Sequence, residues 1–435
     1  MLVIRTGLSL MLKKNDRTTL NARGVLALRQ GGGVPIGYCK IYVLWYIHSY
    51  VYSSLFPKDM ESERIRTLFA DASFPDGEEA FRCALLSKAN SLPLSLQYGL
   101  GMKADYPIVI ELLDEKRSVR HDVRLIGDAA LHPLTRNEEL RSEVFTILER
   151  ESENLYDALI GATWKENVVL EFTGTGSLHL SSTYFGVHNE LLVIHVHKGA
   201  TGHVFEELKG EENRVAARTV IAVIEEGGSL EYRTSIAPSM QGQVFLRQFG
   251  VIRKNATLSW FDVSRSDANV YARTRSDLTG DRATSNMYLT SCSDGTRVLD
   301  VEHRMCHNAS RTRSRIASAG VGKGMSRTIY RGEIAVMKDT VGADGKQEGR
   351  FLVLEPSAKI DAVPALDVSA HDVKSSHALS VGYLSPTMLF YPRLRGLHAK
   401  DAVGFLVSGM MKKTLSRGGA SERDAYEMSR IGENI

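Results

Sequence analysis

A small residue recurs at a fixed interval through the middle of this chain. Ala200, Gly228 and Ala256 are spaced by 28 and 28, and Ala283 follows 27 later. Each sits in a short polar turn: Lys198-Gly199-Ala200-Thr201, Glu226-Gly227-Gly228-Ser229, Lys254-Asn255-Ala256-Thr257 and Arg282-Ala283-Thr284. Pro356-Ser357-Ala358-Lys359 echoes the pattern downstream. Strand-like runs follow, such as Leu230-Glu231-Tyr232, Leu258-Ser259-Trp260 and Ile360-Asp361-Ala362. A period of this size indicates a solenoid, in which each repeat buries its apolar face only against its neighbours. Alternation in Thr219-Val220-Ile221-Ala222-Val223-Ile224 sends one set of side chains inward. A β-sandwich has strands of similar length but no reason to hold that register over successive copies. The fold expected is mainly β: a right-handed parallel β-helix core flanked by N-terminal and C-terminal helical segments. The helices answer a physical need, because a stacked rod must cap its ends.

The flanks divide the 435 residues into four stretches. Residues 60–165 form a helical and mixed domain. In it, Ile65, Leu68 and Phe69, then Ala80, Phe81, Ala84 and Leu85, fall at helical spacing, with a turn at Ser73-Phe74-Pro75-Asp76-Gly77. Ile108 to Leu112 reads as a short strand, and residues 138–160 as one further helix. The β-helix is expected over 166–380 and a helical domain over 381–435. Residues 1–59 differ in kind: eight Lys/Arg against two Asp/Glu, then a tyrosine-rich apolar run from Ile36 to Phe56 broken by Lys40 and His48. Three readings compete: a membrane anchor, a secretory signal, which lacks a small-residue cleavage site after the tyrosine-rich run, and a mis-assigned start with Met60 as the natural first residue. The last is preferred, because Glu61-Ser62-Glu63-Arg64 is an ordinary helical start.

The net charge of +3 arises wholly in that N-terminal stretch, so no nucleic-acid partner is expected. The four cysteines, Cys39, Cys83, Cys292 and Cys306, form no CxxC pair. That excludes a ferredoxin-type permanent cluster and points to a reducing, cytoplasmic compartment.

The most informative stretch lies near the C-terminus. It reads Pro364-Ala365-Leu366-Asp367-Val368, then His371-Asp372-Val373-Lys374-Ser375-Ser376-His377-Ala378. Leu389-Phe390-Tyr391, Arg393-Leu394-Arg395-Gly396-Leu397 and Asp401-Ala402-Val403 follow. Order, spacing and residue type resemble the signature of the SufB/SufD family of the SUF iron–sulfur cluster assembly machinery. Upstream, His307-Asn308-Ala309, Thr312-Arg313-Ser314 and Tyr330-Arg331-Gly332 are similar to further family elements. Locally, Ser385 can cap a helix that opens with Pro386 and ends at Arg395-Gly396. A second helix would carry Ala402, Val403, Leu406, Val407, Met410 and Met411 on one face.

The resemblance implies a non-enzymatic scaffold that pairs with a second family member and recruits the ABC-type ATPase SufC through its helical tail. Phe390, Tyr391, Arg395 and Gly396 would serve that docking. His377 matches the family's histidine linked to cluster assembly at the subunit interface, and imidazole suits iron. An iron–sulfur cluster would then be held transiently between subunits. Departures matter too. SufB-like members carry a cysteine upstream of the signature proline, where this chain has Gly349-Arg350-Phe351, and a glutamate after the histidine, where it has Ala378. Ser375 replaces a cysteine found in many SufD members, and Pro392 a leucine. No cysteine follows Cys306. The chain therefore resembles SufD more than SufB, with a SufB-like subunit as the expected partner.

Other groups read blandly. His303 and His307 would share a strand face with Cys306 on the other, so the three bind one metal only if the chain turns there. His195, His197 and His203 read as rod surface, and Gly320 to Gly324 as a flexible loop. No GxxxxGK[ST], GxSxG, HExxH or GxGxxG occurs. Two alternatives stay open: a polysaccharide-acting β-helix enzyme, although no acidic pair falls in register at the turns, and a homodimeric scaffold.

Overall fold

A computed structural model describes residues 78–89, 95–97, 103–105 and 119–417, apart from 211–212 and 266. The anchor-or-start question, the helix at Ile65–Phe69, the strand at Ile108–Leu112 and the tail beyond 417 lie outside the described residues. So does Met60.

The chain order begins with α1 (Glu79–Ala89), a small hairpin β1 (Ser95–Gln97) and β2 (Lys103–Asp105), and a long strand β3 (Val119–His132). Two helices follow, α2 (Glu138–Arg150) and α3 (Leu155–Ala162), where one was expected. The break is a capping event: the Asn154 side chain accepts from the Asp157 N–H and starts a new helix. The strand β4 (Glu166–Tyr184) then opens a parallel β-solenoid of about eight turns. Paired strands build it coil by coil: β5 and β6 (Val187–Val196, Thr201–Gly210), β7 and β8 (Asn213–Ile224, Ser229–Ile236), β9 and β10 (Gln241–Ile252, Thr257–Ser264). Next come β11 and β12 (Asp267–Leu278, Thr284–Ser293), β13 and β14 (Val298–His307, Arg313–Gly322), β15 and β16 (Arg327–Val336, Ala343–Val353), and β17 and β18 (Lys359–Val368, Val373–Tyr383). Odd strands stack on odd and even on even, with β4 shared: its first half pairs β5 and its second half β6. The strand β3 returns antiparallel along β4. Helices α4 (Pro386–Leu394) and α5 (Ala399–Ser416) complete the described chain.

The 28-residue repeat is the corner between an odd and an even strand. Thr201, Ser229, Thr257, Thr284 and Arg313 stack in one register. The small residue before each is enclosed: Ala200, Ala256, Ala283 and Thr312 are buried. At Gly228 a Cβ would meet the carbonyl oxygens of Glu225 and His197 at 3.1 Å. One position earlier the backbone turns left-handed, at Gly199, Gly227, Asn255, Arg282 and Arg311. Each of those residues donates its N–H to the next coil, to Glu226, Lys254, Asp281, Ser310 and Val341 respectively. The motif at Pro356–Lys359 belongs to the opposite corner, because β17 pairs β15 on the odd sheet. Gly320 to Gly322 is strand and not loop; Gly320 lets the Phe351 ring and the Ser291 hydroxyl approach to 2.7 Å of where a Cβ would stand.

Helices cover the outer walls. Leu140, Val144, Ile147 and Leu148 of α2 pack on Val169, Leu191, Val193, Ile221, Val223 and Phe249 of the odd sheet. In α1 the buried side chains are Arg82, Leu85, Leu86 and Ala89, so the buried face is rotated from Ala80 and Ala84, which are exposed. The α5 stripe packs on the even sheet: Val407 and Met411 meet Val263, Ala319, Val321 and Leu352, and Leu415 meets Phe261, Tyr288 and Ala317. Among the described residues no helix is long and apolar enough to cross a membrane.

These corners yield a discriminating pair of substitutions. Gly227 stands at φ 71° with open space around its Cα, so Gly227→Ala meets backbone strain alone, about 1 to 2 kcal/mol. Gly228→Ala places the residue that three equivalent corners already use, and urea denaturation should find it close to neutral.

Candidate functional site

The last coil is where the predicted site residues meet unpaired backbone. Among the described residues, strand β17 pairs only β15 and strand β18 only β16, so each leaves one edge unpaired by them. Leu366, Val368, Val381 and Tyr383 are exposed there. Pro364 lies within β17, a position proline tolerates because the strand is terminal.

His377 sits at mid-strand in β18 and is exposed. It stacks on Gln347, itself on Ile316, and both of those are fully buried. Register in a parallel stack fixes facing, so His377 belongs to the inward-facing row, and among the described residues no further coil covers it. Its neighbours in that row are Ser375 and Leu379, stacked on Gly345 and Gly349. The docking candidates lie apart from it in the chain, on α4. Phe390 and Tyr391 are more than half exposed, at 61% and 62%. The Arg395 guanidinium donates to the Tyr391 hydroxyl at 2.9 Å and lies 5.3 Å from the ring centre. Gly396 takes φ 91°, which ends the helix. Ser385 caps the same helix by accepting from the Met388 N–H. Leu394 and Phe405 add to the exposed apolar surface.

The upstream motifs come together inside the rod. His307 bridges Thr312 and Ser314, each 2.7 Å from one ring nitrogen, and all three are buried. Burial pushes the His307 imidazole down to about 4. Tyr330 accepts from the Ser318 hydroxyl at 2.9 Å, Arg331 pairs with Asp300 at 2.6 Å, and Gly332 leaves room for the Gln347 amide. His303 faces inward with His307, edge-on to Tyr330 with ring centres 5.7 Å apart, and burial pushes it to about 3. Cys306 points to the other side, so no metal centre forms from the three.

Sequence reasoning missed the rest of this interior. Beneath Gly332, His303 stacks on Thr274 and Gln248. Gln248 donates to Thr234 at 3.0 Å and to Asp262 at 3.2 Å, and Thr274 donates to the Gln248 carbonyl at 2.8 Å. Burial raises the Asp262 carboxyl to about 7. Further toward the first coil, Arg218 joins Glu190 and Glu206, 2.5 and 2.7 Å away, and Tyr232 bonds Glu206. A polar file thus runs through an otherwise apolar core. The signal for it is a polar residue at an inward position of a repeat, which becomes readable only once the register is known.

The donor set at the open coil can be compared with what an iron–sulfur cluster needs. Two imidazoles stand in this coil, His377 in mid-strand and His371 at the corner, and the described residues place no thiol there. Cys292 and Cys306 lie lower in the rod, and burial pushes their thiols up to about 11 and about 12, away from the thiolate that binds iron. The described residues of this coil can therefore offer nitrogen ligands but no sulfur ligand.

Residues 179–410 match the family model described as "SUF system FeS cluster assembly, SufBD core domain". Among curated proteins, the iron–sulfur cluster assembly SufBD family protein of Staphylococcus epidermidis is 22% identical over 367 residues, covering 81% of this chain and 74% of the relative. A protein of the same description from Staphylococcus aureus matches to the same extent. The SufBD family protein ycf24 of Pyropia yezoensis is 24% identical over 248 residues, covering 53% and 51%.

The interior chemistry gives a signed pH effect. Free of the fold, Asp262 would titrate near 3.8; buried, near 7. It binds more protons when folded, so its contribution is full below 3.8 and is lost as pH rises through 7. His303 and His307 act oppositely: their contribution is full above 6.5 and is lost as pH falls through about 4 and about 3. Asp262→Asn should remove the first slope. Its stability relative to wild type should then rise by up to about 1.4 kcal/mol per pH unit between pH 4 and 7. A flat difference in guanidinium titrations across that range would contradict the assignment.

Proposed function

The chain belongs to the SufB/SufD family of the SUF iron–sulfur cluster assembly system, and from that membership we propose that it is the SufD-like half of a two-subunit scaffold. The observation that carries this reading is the open coil. Two parallel edges that no described strand pairs, a rim of Leu366, Val368, Val381 and Tyr383, and an exposed His377 form a surface that a second β-solenoid can cover. The partner is a SufB-like subunit, because the thiolates that this end lacks must come from it. His377 then offers one imidazole to a cluster built between the subunits, the cluster being cargo and not a resident group. The scaffold itself turns over no substrate.

The second surface is α4 with the outer side of α5. Phe390, Tyr391, Leu394 and Phe405 are exposed together, while the opposite side of α5 is committed to the even sheet. Aromatic residues presented on a rigid helix suit a protein partner, and we assign this one to a SufC-like ABC ATPase. The rod would carry its motion to the open coil through the even sheet. Cys83, Cys292 and Cys306 are unpaired, which fits a reducing, cytoplasmic setting.

Co-expression with the neighbouring family member and the ATPase tests both surfaces. Phe390→Ala with Tyr391→Ala should cut recovery of the ATPase about tenfold, the equivalent of ~1.4 kcal/mol, and leave the second scaffold subunit bound. His377→Ala should keep both partners and lower the iron and sulfide carried by the complex. Recovery of the ATPase at wild-type levels with the double variant would move its docking elsewhere. Unchanged iron and sulfide would remove His377 from the site.

A further inference from the structure

The first coil carries a second cluster of imidazoles, away from the open end. Glu171 on β4 and His195 on β5 are register partners, and His197 follows at the corner. One oxygen each, from Glu171, and one nitrogen each, from His195 and His197, lie within 4.8 Å of one another. The two rings are 4.4 Å apart, centre to centre. Glu171 Oε1 stands 2.6 Å from His197 Nε2 and 3.7 Å from His195 Nδ1. Its other oxygen, Oε2, stands 3.3 Å from Nε2 of His132, at the end of β3. Glu225 closes the far side, 3.7 Å from His195 Nε2. All of these lie on the outer wall of the odd sheet, beside Val169 and Val223, where α2 packs. The earlier reading of His195 and His197 as plain rod surface missed Glu171, which sits 24 and 26 residues upstream and is brought alongside by the parallel coil.

Two details distinguish this cluster from a chance group of surface histidines. His132 Nδ1 lies 3.1 Å from the Pro133 carbonyl oxygen. A carbonyl can only accept, so Nδ1 donates, and in the neutral ring Nε2 presents its lone pair toward Glu171. Protonated at Nε2, this ring forms an ion pair with Glu171; neutral, it leaves the Glu171 charge to be met by another cation. Second, His195 Nδ1 is buried without a hydrogen-bond partner, and it faces the same Glu171 oxygen. The other His/Glu group near this end, His121 with Glu166 and Glu190, already has a cation in Arg218, 2.5 Å from Glu190.

We propose that Glu171, His195 and His197 form a binding site for a divalent first-row transition ion, with His132 of the returning strand β3 held beside it on the second oxygen of Glu171. The donors are two imidazoles and one carboxylate, a set that suits zinc or ferrous iron with a water in the fourth position and lacks the thiolate that selects copper(I). Bonds of about 2.0–2.2 Å to such an ion need the donor atoms to close on a common centre, and the separations here are of the right order. The site depends on neither His377 nor any partner subunit, so its fate is separate from the assembly role.

The test is titration of the untagged, full-length chain, stripped of metal, with zinc chloride by calorimetry and with cobalt(II) by visible absorption. One equivalent should bind, with the intense visible bands of four-coordinate cobalt, and melting temperature should rise until that equivalent is reached. His195→Ala and His197→Ala should each weaken the affinity at least about tenfold and abolish the thermal shift. His203→Ala, on the far side of the corner, and His377→Ala should leave both unchanged. Circular dichroism checks that each variant folds, and Glu171→Gln, nearly the same shape, serves where one does not. Absence of a stoichiometric equivalent, or an equivalent that survives in the folded His195 and His197 variants, would overturn the proposal.

Discussion

The structure depends on a backbone contact repeated at the odd-to-even corners from Gly199 to Gly342. A residue in the left-handed region donates its N–H to the coil above, and the small residue after it lets the chain re-enter as a strand. A one-residue slip at any corner would turn every inward side chain of that strand outward. The corners therefore determine which residues meet through the core. Gln347 under His377, Gly332 over His303 and Asp262 beside Thr234 are all consequences of that register.

Register also explains how so much charge is held in the interior. At the first coils Arg218 answers two glutamates. On the outer wall Asp157 of α3 accepts from Arg273 at 2.9 Å and forms an ion pair with Arg247 at 3.0 Å, and all three are buried. Breaking such a group by removing one partner strands an uncompensated charge, which is far costlier than losing a surface pair. The Asp157 cluster also docks a helix: Asn154 caps α3 and bonds the same carboxylate, so the cap and the wall share one carboxylate. The α3 cap thus fixes the helical cover relative to strands β9 and β11.

The parallel solenoid was legible because its signal is spacing. Ala200, Gly228 and Ala256 stand out in one pass through the chain. The left-handed position was only half legible: Gly199 and Gly227 advertise it, while Asn255, Arg282 and Arg311 do not. The echo at Pro356–Lys359 misled because both corners favour small residues, and sequence alone does not say which sheet follows. The α5 stripe was legible as a face, and its partner wall was not, since Val263, Ala319 and Leu352 are scattered over four coils. The family motifs were legible as words and opaque as chemistry: the pairing of His307 with Thr312 and Ser314 needs the corner between them. Glu171 with His195 and His197 was hidden for the same reason, because the coil length converts a distance in sequence into adjacency in space.

The two ends of the solenoid differ in how they satisfy exposed backbone, and that difference decides where chemistry can occur. At the first coil β3 folds back along β4 and supplies the missing ladder from within the chain. At the last coil nothing described takes that place: β17 and β18 end the stack, and Pro364 limits uncontrolled strand addition without closing the edge. An inward-facing row left open is the one place where core positions become accessible without a pocket. His377 is exposed for that reason, and not because the strand is a solvated surface. Its neighbours are residues that would be core in any other coil. Any surface that covered this end would bury the His377 imidazole on Gln347, in a row whose described residues carry no thiol.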